Sequence, residues 1–251
     1  MPLWQEFTHA MSFDNIILFQ NDDLAFKKTL KTITHYLLLS SRKMQDFGLP
    51  ISHFQTREVT DEIIDLQSNH DLFVEEAEQR QAHLTEKQLL AYHDIMHTIQ
   101  TNNPLHTMLF VEGCPGRGKT YLIQKILAVL HADFQIVLVV GSSALSAIAY
   151  HRGRTAHYMF SIPVTDDNVD LHSKVPLRSA HADLIHDALA IIWNELPIVN
   201  KAAWECVNLL CCHVMQHFNL PFGGNSLAVV TFIKVHLSSL DLGKWLPLQP
   251  Q

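Results

Sequence analysis

The sequence predicts an α/β fold: a mostly parallel sheet flanked by helices, preceded by a helical N-terminal extension. Three observations carry this expectation. Apolar runs of strand length stand at 108–111, 134–140, 189–193 and 227–233. Segments with apolar residues at helical spacing lie between them, and strands alternating with helices build parallel sheets. The run at 134–140 is almost continuously apolar, as suits a strand buried on both faces.

Residues 1–21 show no clear pattern. Asp22 and Asp23 then offer N-caps, and Phe26, Leu30, Ile33 and Leu37 fall on one helical face that Gly48 and Pro50 should end. Positions 58–78 hold eight acidic residues and no Lys or Arg. With Ile63, Ile64, Leu66, Leu72, Phe73 and Val74 interleaved, they read as one or two acidic amphipathic helices. A solvated face is the ordinary explanation and an interaction surface the functional one. Thr85 and Gln88 have the spacing of a capping box, with Leu84 and Leu89 as its hydrophobic staple. Leu89, Tyr92, Met96 and Ile99 continue that face, which places a domain boundary near residue 83.

After the 108–111 run comes Gly113-Cys114-Pro115-Gly116-Arg117-Gly118-Lys119-Thr120, the phosphate-binding pattern G-x-x-x-x-G-K-[ST]. Gly113, Gly116 and Gly118 are expected to let backbone N–H groups converge on phosphate oxygens. Lys119 would neutralise the β/γ-phosphates and Thr120 would ligate Mg²⁺. Leu122, Ile123, Ile126, Leu127 and Leu130 supply the helix that should follow, whose N-terminus adds its dipole to the site.

The strand at 134–140 runs into Gly141-Ser142-Ser143, at the end of a sheet where ligands collect, although a helix cap explains the serines equally well locally. Residues 151–163, HRGRTAHYMFSIP, mix arginines, histidines and aromatics, a combination that suits a nucleic-acid strand. A polar loop at 164–176 and a helix at 177–188 precede the apolar run that ends in Asn194-Glu195, the place where phosphate-loop enzymes present an acidic residue to Mg²⁺. A long helix at 199–217 and a turn at Phe222-Gly223-Gly224 lead to the last run.

Composition narrows the function. The net charge of −7 argues against a dedicated duplex-DNA binder. The four cysteines have no C-x-x-C spacing and the 17 histidines no metal-binding pattern. No apolar run approaches a membrane span, and no signal peptide is apparent. These features predict a soluble, intracellular protein with no membrane partner.

LTEKQ, GCPGRGKTYL, GSSALSAIAYHRGRTAHYMFSIPV, ADLIHDALAIIWNELPIVNKAAWE and LPFGG occur in one order over residues 84–224. In that order they resemble the helicase of Helitron transposons, which is similar to the petite-integration-frequency helicases of superfamily 1. KMQDFGLP at 43–50 is similar to the segment upstream of that helicase core. The resemblance implies two RecA-like domains, of which 84–233 would be the first, 1–83 an extension and 234–251 an irregular tail. It implies an ATP- and Mg²⁺-dependent, 5′-to-3′ helicase on single-stranded DNA, a nuclear location, and a link to recombination, repair and telomere maintenance. By this resemblance Gln88 reads adenine, Gly113, Gly116, Gly118, Lys119 and Thr120 hold the nucleotide and its Mg²⁺, and Ser143, Thr155 and His157 lie along the strand. Glu195 would polarise the attacking water.

Two features depart from the family pattern. Asn194 stands where the family has Asp, which should weaken Mg²⁺ binding through water and slow turnover. After FGG the text contains no GDFRQ, the family's γ-phosphate sensor, as expected of a tail read out of frame or altered by splicing. The second RecA-like domain, with its arginine finger, is also missing from the 251 residues. A catalytically impaired nucleotide-binding module is therefore the alternative to a working helicase. A small-substrate kinase is disfavoured by GRTAH and IIW-x-EL.

Overall fold

The computed structural model describes residues 3–39, 42–50, 54–101, 108–111, 113–114, 116–164, 171–195, 200–224 and 226–230. The expected tail at 234–251 lies outside them. The chain divides into two compact units, Met1–Thr56 and Arg57–Gln251.

In the first unit, α1 (Leu3–Phe19) and α2 (Asp22–Leu39) form a helical hairpin. Asn15 donates to the Thr29 hydroxyl at 2.8 Å across it, and the His9 ring meets Phe26 edge-on. Residues 1–21, patternless in sequence, are thus largely helical. Asn21 caps α2 by accepting from the Leu24 N–H at 3.1 Å, so Asp22 and Asp23 sit inside the first turn instead. Gly48, at φ 62°, ends a short 3-10 turn at Met44–Phe47 and not α2, which stops at Leu39.

The second unit contains a five-stranded parallel sheet: β1 (Met108–Val111), β2 (Val137–Gly141), β3 (Arg154–Thr155), β4 (Ala190–Asn194) and β5 (Ser226–Val230), in the order β1-β5-β4-β2-β3. Around it lie α3 (Arg57–Ser68), α4 (His70–Gln81), α5 (Glu86–Thr101), α6 (Lys119–Ala132), α7 (Ala144–Ala147), α8 (Ala156–Met159), α9 (Ala180–Asp187) and α10 (Lys201–Met215). Strand alternation makes two cores. Ile191, Trp193, Leu138 and Val140 face α3, α9 and α10, whereas Ala190, Ile192 and Val139 face α5 and α6. Parallel strands buried on both faces are what the near-continuous apolar runs anticipated. The basic segment at 151–163 contributes the two-residue edge strand β3.

The boundary expected near residue 83 falls inside the second unit. Helix α4 packs on α6: Arg80 donates to Gln124 at 2.9 Å and lies over the Tyr121 ring. Lys125, only 5% exposed, donates to the Ala77 carbonyl at 2.7 Å and lies 5.4 Å from the Tyr92 ring centre. Burial lowers its pKa, and Glu78 opposes that shift.

Candidate nucleotide and strand site

The phosphate loop joins β1 to α6. Gly116 and Gly118 both have φ 76°, a region that L side chains rarely adopt. Gly113 does not: its φ is ordinary, and a Cβ there would meet the Lys119 side chain at 3.7 Å, an ordinary contact distance. Its backbone contribution is the carbonyl that accepts from Lys119. Lys119 is buried and donates to the carbonyls of Gly113 and, at 2.9 Å, Cys114. Desolvation lowers its pKa, and Cys114 opposes that shift. An ammonium that donates to carbonyls of its own loop is positioned to exchange them for phosphate oxygens. Pro115 lies outside the described residues.

Gln88 serves two structures at once. Its Oε1 accepts from the Thr85 N–H at 2.9 Å, closing the predicted capping box. Its Nε2 donates to the carbonyls of Arg117 and Gly118 at 3.2 and 3.3 Å. The residue expected to read adenine therefore touches the phosphate loop directly.

The opposite wall comes from the carboxyl ends of β2 and β4, where Gly141 pairs with Asn194. Asn194 is 2% exposed; its Nδ2 donates to the Ser146 carbonyl at 3.2 Å and its Oδ1 has no partner. Glu195 is held at φ 62°, an uncommon conformation for a residue with a Cβ. Trp193 Nε1 donates to Ser142 Oγ at 3.1 Å, and Ser142 Oγ donates to the Glu195 carbonyl at 2.7 Å. Beneath this relay Trp193 packs between Phe160 and Trp204, and Trp204 meets Phe222 with ring centres 4.6 Å apart. The aromatic core thereby sets the position of Glu195.

Tyr150 is buried in the core that α5 and α6 form on the sheet. Burial pushes its pKa up to about 12, with the Thr120 hydroxyl opposing and the Glu195 carboxylate adding to the shift. Its hydroxyl closes no hydrogen bond of good geometry. Sequence spacing carried no signal for Tyr150. Nor did it point to Ser142 as the group bridging Trp193 and Glu195.

The residues present fit a hydrated Mg²⁺. A hydroxyl at Thr120 and a buried, unpartnered amide oxygen at Asn194 suit an ion that keeps most of its waters. Among the described residues no cluster of three His, Cys, Asp or Glu could hold a metal by protein groups alone.

The expected strand residues occupy neighbouring but separate positions. Ser143 caps α7, accepting from the Ser146 N–H at 3.1 Å, and its Oγ lies 3.5 Å from Glu195 Oε2. Thr155 caps α8 through the Tyr158 N–H at 3.3 Å, leaving His157 and Tyr158 exposed on that turn. The arginines of the same segment are turned to other work. Glu62 receives Arg152 Nε at 2.7 Å and Arg154 at 2.9 Å, and Asp65 pairs with His151 at 2.6 Å. Glu58, one turn before Glu62 on α3, holds His181 at 2.9 Å. The acidic helix read as a solvated face thus presents Glu58, Glu62 and Asp65, at i, i+4 and i+7, to basic partners.

The model of the PIF1-like helicase family matches residues 83–232. No curated protein matches the chain. Solved structures of Pif1 helicases are similar to it. Unliganded Pif1 from a Bacteroides species is 21% identical, with TM-score 0.47 and coverage of 59% of this chain and 31% of that one. Bacteroides Pif1 bound to single-stranded DNA is 25% identical, with TM-score 0.46 and coverage of 59% and 31%. Pif1 helicase from Candida albicans is 18% identical, with TM-score 0.46 and coverage of 59% and 32%. The matched region spans about a third of the length of these structures.

Proposed function

The chain belongs to the PIF1-like helicase family, and from that premise we propose that it supplies the first RecA-like half of an ATP-dependent DNA helicase. The observation that carries this reading is a phosphate loop with Gly116 and Gly118 at φ 76° and Lys119 donating to its own carbonyls, set between β1 and α6 of a parallel sheet whose strand β4 ends in Asn194. Lys119 would bind the β/γ-phosphates, the Gly116–Gly118 backbone would cradle them, and Gln88 would sense adenine from its place on the loop. Glu195, fixed by Ser142, would orient the attacking water. Thr120 and Asn194 Oδ1 would hold Mg²⁺, which supplies charge neutralisation between the β- and γ-phosphates. Single-stranded DNA would run past Ser143, Thr155 and His157. The finer assignments, to the Helitron branch, the 5′-to-3′ direction, and roles in recombination, repair and telomere maintenance in the nucleus, rest on motif resemblance.

A second reading is favoured by one observation. Asn194 is built into its place by a hydrogen bond to Ser146, as in a module that binds nucleotide without turning it over. One experiment separates the two. The purified chain is followed for binding of a fluorescent ATP analogue and for phosphate release, with and without single-stranded DNA, beside Lys119→Ala. DNA-stimulated release abolished by Lys119→Ala supports the helicase half. Binding without release supports the impaired module, and absence of binding refutes both.

A further inference from the structure

The helicase reading does not use a cleft of about 430 Å³ lined by His157, Tyr158, Ser161, Val175, Pro176 and His181. Its size is within the range of small-ligand sites, about 300–1,000 Å³. It lies just beyond β3, between the α8 turn and the segment that leads into α9. The carboxyl ends of parallel strands are where ligands bind in such sheets.

Both walls are fixed. On one side Thr155 caps α8, and Ala156, Met159 and Phe160 are buried. Tyr158 stands 68% exposed between these buried neighbours. On the other side the Lys174 N–H donates to the Ser161 carbonyl at 3.2 Å and Ser173 Oγ to the Phe160 carbonyl at 2.7 Å. His181 lies with Nδ1 2.9 Å from Glu58 and Nε2 against the Met159 carbonyl, so one N–H of the ring is bonded in either tautomer. The lining thus holds a phenol, two imidazoles and a proline ring beside Ser161 and Val175. The segment 171–178 beside it carries exposed His172, Lys174 and Arg178, in a chain whose net charge is −7. Aromatic faces beside local positive charge are the means by which proteins take unpaired nucleotides without reading sequence.

We propose that this cleft receives one unstacked nucleobase of the single strand, with Tyr158 as its stacking platform and His181, positioned by Glu58, as its fixed wall. The assignment rests on the strand reading of Thr155 and His157 and extends it to a defined subsite. It also gives α3 a function at the strand face, since Glu58 holds one wall of the cleft.

The test uses the full chain and two labelled strands of equal length, oligothymidylate and its fully abasic counterpart, titrated by fluorescence anisotropy. The wild-type protein should bind oligothymidylate more tightly than the abasic strand. Tyr158→Ala should weaken oligothymidylate binding about tenfold while leaving abasic binding unchanged, and Tyr158→Trp should preserve the preference. Circular dichroism of each variant confirms that it is folded. Equal loss on both strands, or no loss on either, would overturn the base subsite and leave the strand reading standing. If the wild-type protein binds neither strand, the strand reading itself fails.

Discussion

Restoring the family's carboxylate by Asn194→Asp tests how deeply the departure at this position is built into the protein. Asn194 is 2% exposed, and its Nδ2 donates to the Ser146 carbonyl at 3.2 Å. An ionised Asp would set an acceptor against that carbonyl and lose the bond. The lost bond costs about 1 kcal/mol and the orphaned carbonyl a further 1–3 kcal/mol, so about 3 kcal/mol in total. Burial also raises the pKa of such an Asp above its unfolded value of about 3.9. The folded state then binds more protons than the unfolded state above that value, so the loss is present at neutral pH and fades as pH falls, when the protonated Asp can donate to Ser146. For a chain of this size, about 3 kcal/mol corresponds to roughly 6–12 °C in Tm. Thermal melts at pH 7.5 should show this deficit, and melts at pH 5 a smaller one. Mg²⁺ with ADP should recover more of it in the variant than it adds to the wild type, because the new charge faces the ion. Equal melting of the two proteins at both pH values would refute the role of the Ser146 bond. A deficit that Mg²⁺ and ADP leave untouched would refute the placement of residue 194 beside the metal.

Other expectations follow from the same contacts. Burial, with the His151 charge next, depresses the His131 pKa from 6.5 to about 4, against the opposing charge of Asp65. Its stability contribution is full above pH 6.5 and is lost as pH falls toward 4, by about 1.4 kcal/mol per unit and about 3 kcal/mol at most. Urea unfolding between pH 4.5 and 7.5 should lose part of its pH slope in His131→Phe, and an unchanged slope would contradict the assignment. Glu62→Gln leaves Arg154 without its carboxylate and Arg152 with only Asp65, at 3.7 Å, and should cost about 1–3 kcal/mol. A double-mutant cycle with Arg154→Gln should show coupling above about 0.5 kcal/mol. Gly118→Ala should destabilise the phosphate loop, since φ is 76° and the new Cβ would lie 2.5 Å from Gln88 Nε2; loss of fluorescent nucleotide binding reports it.

Much of the site was legible in the sequence because its signals are local. The glycine loop, the Thr85–Gln88 capping box and β1 are each set by residues within a few positions of one another, and the structure forms them at those positions. Asn21 was missed as the cap of α2 because three consecutive polar residues compete for that place, and the choice depends on where the chain enters the helix. The arginines of 151–154 were read as strand-binding because their partners lie about 90 positions upstream: Arg152 meets Glu62 across 90 residues. No periodicity reports a pairing of that range.

The sequence by itself determined the family, the nucleotide loop and the parallel α/β architecture. Hydrophobic period and turn chemistry are properties of short segments, and each segment carries them wherever it is placed. Only the tertiary structure decided that α3 and α4 belong to the same compact unit as the sheet, that Ser142 bonds the Glu195 carbonyl while Glu195 is left-handed, and that Glu58 holds His181 where it lines a cleft with His157. Those outcomes depend on which distant surfaces meet when two cores close on one sheet, and packing settles that after the local elements are chosen.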